Sequence, residues 1–153
     1  MARMTAEDRL DVQDLIARYA TWVDTGDVEG YVQQFLPSGV IEHRAGRCVG
    51  HDEIRPWVAG LVAEGRIGGD PAKMRHVLGL PVIEGDSERC SAKTYVVIPM
   101  IDEAGRIGVP LVGTYIDECV KVGDRWLFEK RIIQMDLIAS ATGDSLTALP
   151  ANR

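Results

Sequence analysis

Histidine and cysteine occur only three times each among the 153 residues, and asparagine once, as Asn152. Each shortage removes a class of chemistry. His43 and His51, the two nearest histidines, stand eight positions apart, and no H-E-x-x-H pattern or EF-hand loop is present, so a local metal motif is missing and no metal site is expected. Cys48, Cys90 and Cys119 are odd in number and contain no C-x-x-C pair, which argues against a disulfide framework or a zinc knuckle and for small buried thiols. No G-x-S-x-G, P-loop or strand-borne G-x-G-x-x-G occurs. A cofactor-free mechanism is therefore the expectation. No basic run exceeds the pair Lys130-Arg131, and 17 Lys plus Arg against 23 Asp plus Glu leave a net charge of −6. Such a balance lacks the electrostatic footprint of nucleic-acid or acidic-membrane binding and fits a neutral, apolar small molecule as partner. The first residues carry no apolar run of signal-sequence type, and nowhere do about 18 apolar residues follow one another. A cytoplasmic protein is expected.

What is present reads as one domain over residues 1–138 with a C-terminal arm over 139–153. Thr5 followed by Asp8 is a capping box, after which Val12, Leu15, Ile16, Tyr19, Trp22 and Val23 recur at helical spacing up to Thr25-Gly26. Asp27 can cap a second short helix through Tyr31, Val32 and Phe35, and Asp52 can start a third carrying Ile54, Trp57, Val58 and Leu61. A short strand pair is expected between, over 39–49, and a glycine-rich loop follows over 65–71. The chain then changes character. Residues 74–84, 90–100, 107–122 and 126–137 are β-type runs separated by Gly85-Asp86, 102–105 and Gly123-Asp124, which predicts an antiparallel meander and an α+β order overall. The first of these runs is apolar on both faces, with His76, Leu78, Leu80 and Val82 on one and Val77, Gly79, Pro81 and Ile83 on the other. Its second face is expected to meet another subunit.

Asp24 stands in the last turn of the first helix, where the negative end of the macrodipole disfavours a carboxylate by about 1 kcal/mol or less. It calls for a compensating partner or a raised pKa. At about 100° per residue it borders the stripe of Tyr19, Ile16 and Val23 and can look beneath the sheet. His76 lies in a β-run, and if the two meet, the carboxylate would fix the imidazole tautomer and leave the other ring nitrogen as a base. A turn at Gly85-Asp86 would place Tyr95 opposite His76, where its phenol could donate to a substrate oxygen. Arg131, read as sharing a face with Glu129, Ile133 and Met135, could hold an anionic group. Trp22, Trp57, Leu111 and Ile133 are expected to shape the pocket. His43 and His51 read as surface residues.

The segments Tyr19-Ala-Thr-Trp22-Val-Asp24-Thr-Gly26-Asp27, Met74-Arg75-His76, Val112-Gly113-Thr114-Tyr115 and Asp124-Arg125-Trp126-Leu127-Phe128, in that order, resemble the SnoaL-like branch of the NTF2-like superfamily, which includes scytalone dehydratase, bile-acid 7α-dehydratase and hexachlorocyclohexane dehydrochlorinase. The resemblance spans residues 5–138. It implies a conical α+β barrel, three N-terminal helices on a strongly curved and mainly antiparallel sheet, an apolar pocket, no cofactor and commonly a trimer. It also implies an Asp-His dyad on Asp24 and His76, with Tyr19 beside it and Arg131, or Lys130 by a one-residue slip, as a further pocket cation. Leu80, where relatives often carry a polar residue, implies a more apolar pocket. This superfamily hosts lyases, isomerases, cyclases and binding modules, so the fold alone does not settle function; with the dyad, the expected function is a dehydratase-type lyase acting on a hydrophobic, cyclic, hydroxylated substrate. An isomerase or polyketide cyclase, and a binding or oxygenase-subunit role, stand as alternatives.

Overall fold

The computed structural model describes residues 2–69, 73–139 and 146–148. Helix α1, Ala6–Thr25, opens on the expected capping box: the Asp8 amide donates to Thr5 Oγ1 at 3.0 Å and the Thr5 amide donates to Asp8 Oδ2 at 3.0 Å. Asp8 does more than cap. Buried, it also accepts from Lys121 Nζ at 2.7 Å and from Trp126 Nε1 at 3.3 Å, which fastens the start of the helix to the sheet. These donors hold its carboxyl well below the usual range, the lysine contributing most. Gly26 ends α1 in the left-handed conformation, φ 74°, and α2, Val28–Val32, starts at the Asp27 cap.

Strands β1, Phe35–His43, and β2, Gly46–Val49, form the first hairpin. Helix α3 then runs over Gly50–Ala63 and begins before Asp52: its N-cap is Val49, which has no side-chain cap bond and whose own amide donates to Glu53 Oε2 at 2.7 Å. Strands β3, Val77–Leu78, β4, Val82–Gly85, β5, Arg89–Ile101, β6, Ile107–Val122, and β7, Arg125–Ala139, follow. The sheet order is β2-β1-β7-β6-β5-β3, with β4 also on β5. All these pairs are antiparallel except β1 with β7, so the helices cover a curved, mixed sheet of an α+β fold. Of the C-terminal arm, Ala139 ends β7, Leu146–Ala148 form β8 against it, and the rest lies outside the described residues. Residues 70 and 71 of the expected glycine-rich loop lie outside them too. No described helix is long and apolar enough to cross a membrane.

Three irregularities decide which side chains face the helices. The run expected over 74–84 breaks at 79–81, where Pro81 has no amide to give to a ladder. Met74, His76 and Leu78 turn toward the helices, but beyond the break the buried residue is Ile83, and Leu80 and Val82 are 87% and 65% exposed. Leu80 therefore lies on the opposite side from His76 and cannot make a pocket more apolar. The β4–β5 turn is built on Asp86, whose amide donates to Arg89 O at 2.9 Å and whose carboxylate accepts the amides of Glu88 and Arg89. That longer turn pairs Val82 with Lys93, and the break at 79–81 then shifts the register by one residue, so Val77 faces Val97 and Leu78 faces Val96. Position 76 lies across from Ile98, and Tyr95, 66% exposed, points away from it on the outer face. Finally, Glu118 faces Lys130 while Cys119 faces Phe128, which leaves Glu129 as the extra residue of a bulge. Trp126 and Phe128 point inward before it, Arg131, Ile133 and Met135 after it, and Glu129 pairs with Arg89 instead of sharing the face of Arg131.

The three cysteines are buried and free, with Cys90 directly opposite Cys119. Their role is packing.

Candidate active site

The unfavourable position of Asp24 at the end of α1 is compensated by one residue. His76 Nδ1 lies 2.7 Å from Asp24 Oδ1, and the His76 amide donates to Oδ2 at 3.0 Å and to Oδ1 at 3.3 Å. Both side chains are about nine-tenths buried. With the carboxylate accepting, Nδ1 carries the proton and Nε2 keeps its lone pair. The geometry is that of an imidazole oriented as a base.

The floor of the same space is aromatic. Tyr19 from α1 and Tyr31 from α2 bring their hydroxyls to 3.0 Å, and Tyr115 from β6 meets the Tyr19 ring edge-on at 5.6 Å between centroids. Burial pushes all three phenols up, so they are neutral donors. In the Tyr19–Tyr31 pair one hydroxyl proton is used between the two oxygens, and the other remains for a substrate oxygen.

Arg131 lies beneath this floor and is fully buried. Its Nε and Nη2 donate to the two carboxylate oxygens of Asp117 at 2.7 Å each, from directly across the β6–β7 ladder. The guanidinium carbon is 4.0 Å from the ring centres of Tyr19 and Phe128 and 4.3 Å from that of Tyr115. Burial pulls its pKa down, but the Asp117 carboxylate outweighs burial and the net shift is upward, so the group stays charged. Arg131 thus lies against the rings of Tyr19, Tyr115 and Phe128 and is not among the residues that line the cavity above them.

Above the floor is a cavity of about 450 Å³, within the range of small-molecule sites. His76, Tyr19, Tyr31 and Tyr115 line it together with Val23, Ile133, Met135, Trp57, Leu61 and Ile67. The expected pocket residues therefore divide. Tyr19, Trp57, Ile133 and His76 meet around one space. Tyr95 lies on the outer face, and Trp22, about 100° around the helix from Val23, packs against Gly30, where an added Cβ would come within 2.8 Å of its ring. Leu111 lies farther along β6, past a second bulge between Val112 and Gly113, and packs into the core instead. His51 is half-buried, with Nε2 3.0 Å from Phe35 O. His43, expected on the surface, instead lines the cavity and stacks on Trp57 at 4.2 Å and 10°. Tyr31 and the inward Tyr115 were legible as helical and strand positions, whereas nothing local marks His43, because the β1–β2 turn alone brings it over Trp57. Among the described residues no three His, Cys, Asp or Glu side chains converge as metal ligands would.

One wall depends on two glycines. Gly68, φ 71°, donates its amide to Val23 O at 3.1 Å, and a Cβ there would come within 2.8 Å of Gly26 Cα. Gly68→Ala is expected to cost about 1–3 kcal/mol from left-handed strain and backbone overlap, lifting Arg66 and Ile67 off the cavity. Denaturant titration checks this, and a midpoint equal to wild type would refute it.

The SnoaL-like domain family matches residues 4–132. The uncharacterized protein Rv2910c of Mycobacterium tuberculosis is 27% identical over 128 residues, covering 82% of this chain and 83% of that protein. A Nostoc punctiforme protein of unknown function with a cystatin-like fold superposes with TM-score 0.76 at 22% identity, over 88% of this chain and 95% of its own. A candidate scytalone dehydratase from Novosphingobium aromaticivorans superposes with TM-score 0.73 at 17% identity, over 96% and 95%. By the extent of the family match and the shared architecture, the chain belongs to the SnoaL-like domain family, with its NTF2-like, cystatin-like fold.

Proposed function

We propose that this protein is a cofactor-independent lyase of the dehydratase type, acting on a hydrophobic, cyclic, hydroxylated substrate. The observation that carries the reading is the 2.7 Å contact of Asp24 with His76 on the wall of a cavity otherwise lined by apolar and phenolic groups. His76 Nε2 takes a proton from carbon, and Asp24 stabilises the imidazolium formed. The free hydroxyl proton of the Tyr19–Tyr31 pair polarises a carbonyl and holds the developing enolate. The C–O bond then breaks, the imidazolium returns its proton to the leaving hydroxide, and water and a C=C bond result. A structural neighbour described as a candidate scytalone dehydratase adds weight to this choice.

An isomerase or cyclase would use the same dyad and the same enolate-holding phenols without expelling water, so product mass separates the two. A purely binding or oxygenase-subunit role is disfavoured by a dyad in hydrogen-bond contact beside an open space. The test is a panel of cyclic β-hydroxy ketones in D₂O, read by mass spectrometry. Deuterium uptake at the acidic carbon, together with loss of one water, supports the lyase. Uptake at an equal rate with His76→Ala would sink it.

The outer sheet face belongs to the proposal as well. Val77, Leu80, Val82 and Tyr95 are all more than half exposed, a cluster that suits a contact with a second copy of the chain. Leu80→Asp is expected to shift sedimentation from an oligomer to a monomer. A wild-type monomer would overturn this part.

A further inference from the structure

The chain carries six more acidic than basic side chains, yet among the described residues no Asp or Glu lines the cavity. The formally charged lining residues among those described are Arg44, at the tip of the β1–β2 hairpin, and Arg66, just beyond α3. Asp24 is turned onto His76. Glu42, next to the hairpin tip, is engaged by Lys130 at 2.9 Å and Arg47 at 3.9 Å. Arg44 forms no ion pair among the described residues, and the only partner of Arg66 there is Glu64, exposed and 3.7 Å away. Both arginines are exposed at the rim, whereas the lining around His76 is apolar and phenolic.

His43 adds a third polar group at the same rim. Its Nδ1 accepts the Ala45 amide at 3.2 Å, so in the neutral ring Nε2 carries the proton and is a donor. Burial, and then the charge of Arg66, hold this imidazole below its ordinary pKa. The positive field of the rim therefore reaches a ring that stacks inside the cavity on Trp57.

We propose that the substrate is amphipathic and anionic: a ring system fills the cavity against His76, and a carboxylate on it is held at the rim by Arg44 and Arg66, with His43 as a neutral donor. This rests on the reading of the cavity as a substrate site. It replaces the neutral substrate inferred from net charge, because the local sign at the rim is opposite to the global one and recognition follows the local field.

The test uses two probes of nearly equal shape, 2-naphthylacetate and the uncharged 2-naphthylacetamide, titrated calorimetrically into the wild type and an Arg44→Ala/Arg66→Ala variant. Both substitutions are on exposed side chains, so the fold is retained. The acid is expected to bind about five- to tenfold more tightly than the amide at low salt, with the preference shrinking as ionic strength rises, as for partly exposed charge pairs. In the double variant the preference disappears and amide affinity is unchanged. Equal binding of acid and amide to the wild type, or a preference that survives in the variant, overturns the rim assignment while leaving the cavity as an apolar site. Failure of both probes to bind the wild type overturns the cavity reading and the rim assignment together.

Discussion

His76→Ala is expected to slow turnover by about 10²- to 10⁴-fold, the usual worth of a positioned general base and equivalent to roughly 3–5.5 kcal/mol of barrier. The reason is geometric: among the described residues this ring is the one imidazole on the cavity wall whose tautomer is set by a carboxylate, through the 2.7 Å contact of Nδ1 with Asp24, which leaves Nε2 as the base. Asp24→Asn is expected to cost about 10²-fold as well, because an amide can present its N–H to Nδ1 and drive the proton to Nε2, the wrong nitrogen for a base. Its stability should change little, since an uncharged side chain suits the C-terminal end of α1 better than a carboxylate does. Steady-state rates and thermal melts on both variants separate the two effects. An Asp24→Asn variant with wild-type turnover would show that tautomer control is not what the carboxylate supplies.

The second large effect is on stability. Asp117→Asn leaves the Arg131 guanidinium fully buried without a counter-charge, and Arg131→Met does the same to the carboxylate, so each is expected to destabilise by about 3–5 kcal/mol. For a chain of this size that is roughly a 10 °C fall in Tm. The pair Arg131→Met with Asp117→Leu should recover most of the loss, because removing both charges also removes the cost of burying them. The recovered protein is still expected to turn over slowly. Arg131 lies under the faces of Tyr19, Tyr115 and Phe128, and a flexible methionine cannot hold those rings as a planar cation does. A double variant as unstable as either single one would contradict the desolvation argument. Wild-type turnover in a recovered double variant would contradict the positioning role.

The buried pair and the catalytic pair differ in how far the amino-acid order announces them. Asp24 is conspicuous as a carboxylate at a helix end that disfavours it, and the misfit points to a compensating partner. His76 is conspicuous by scarcity. Their contact joins residues 52 positions apart and depends on where β3 runs beside α1, which no local pattern encodes. Arg131 and Asp117 each look like a surface charge, and only the bulge at Glu129 turns Arg131 inward.

Tyr95 and Leu80 illustrate the same limit from the other side. Counting by twos along a strand assigns faces correctly until one residue is added or one turn lengthened, and then every later side chain changes side. The longer turn at Asp86 and the one-residue offset at the break before Val82 together moved the partner of His76 from Tyr95 to Ile98, and the same break moved Leu80 to the exterior. His43, Arg44 and Arg66 come to the cavity from a hairpin tip and a post-helical loop, positions whose local signals are those of ordinary solvent-facing turns.

From sequence alone follow the helix with its capping box, the α+β order, the SnoaL-like resemblance and the two residues worth suspecting, because capping, periodicity and helix-end electrostatics act within a few residues of chain. The tertiary structure alone decided that Asp24 and His76 touch, that Arg131 is a buried support, and that an acidic chain has a basic rim on its cavity. Those depend on register and on the meeting of distant loops, which are set by packing the whole sheet at once.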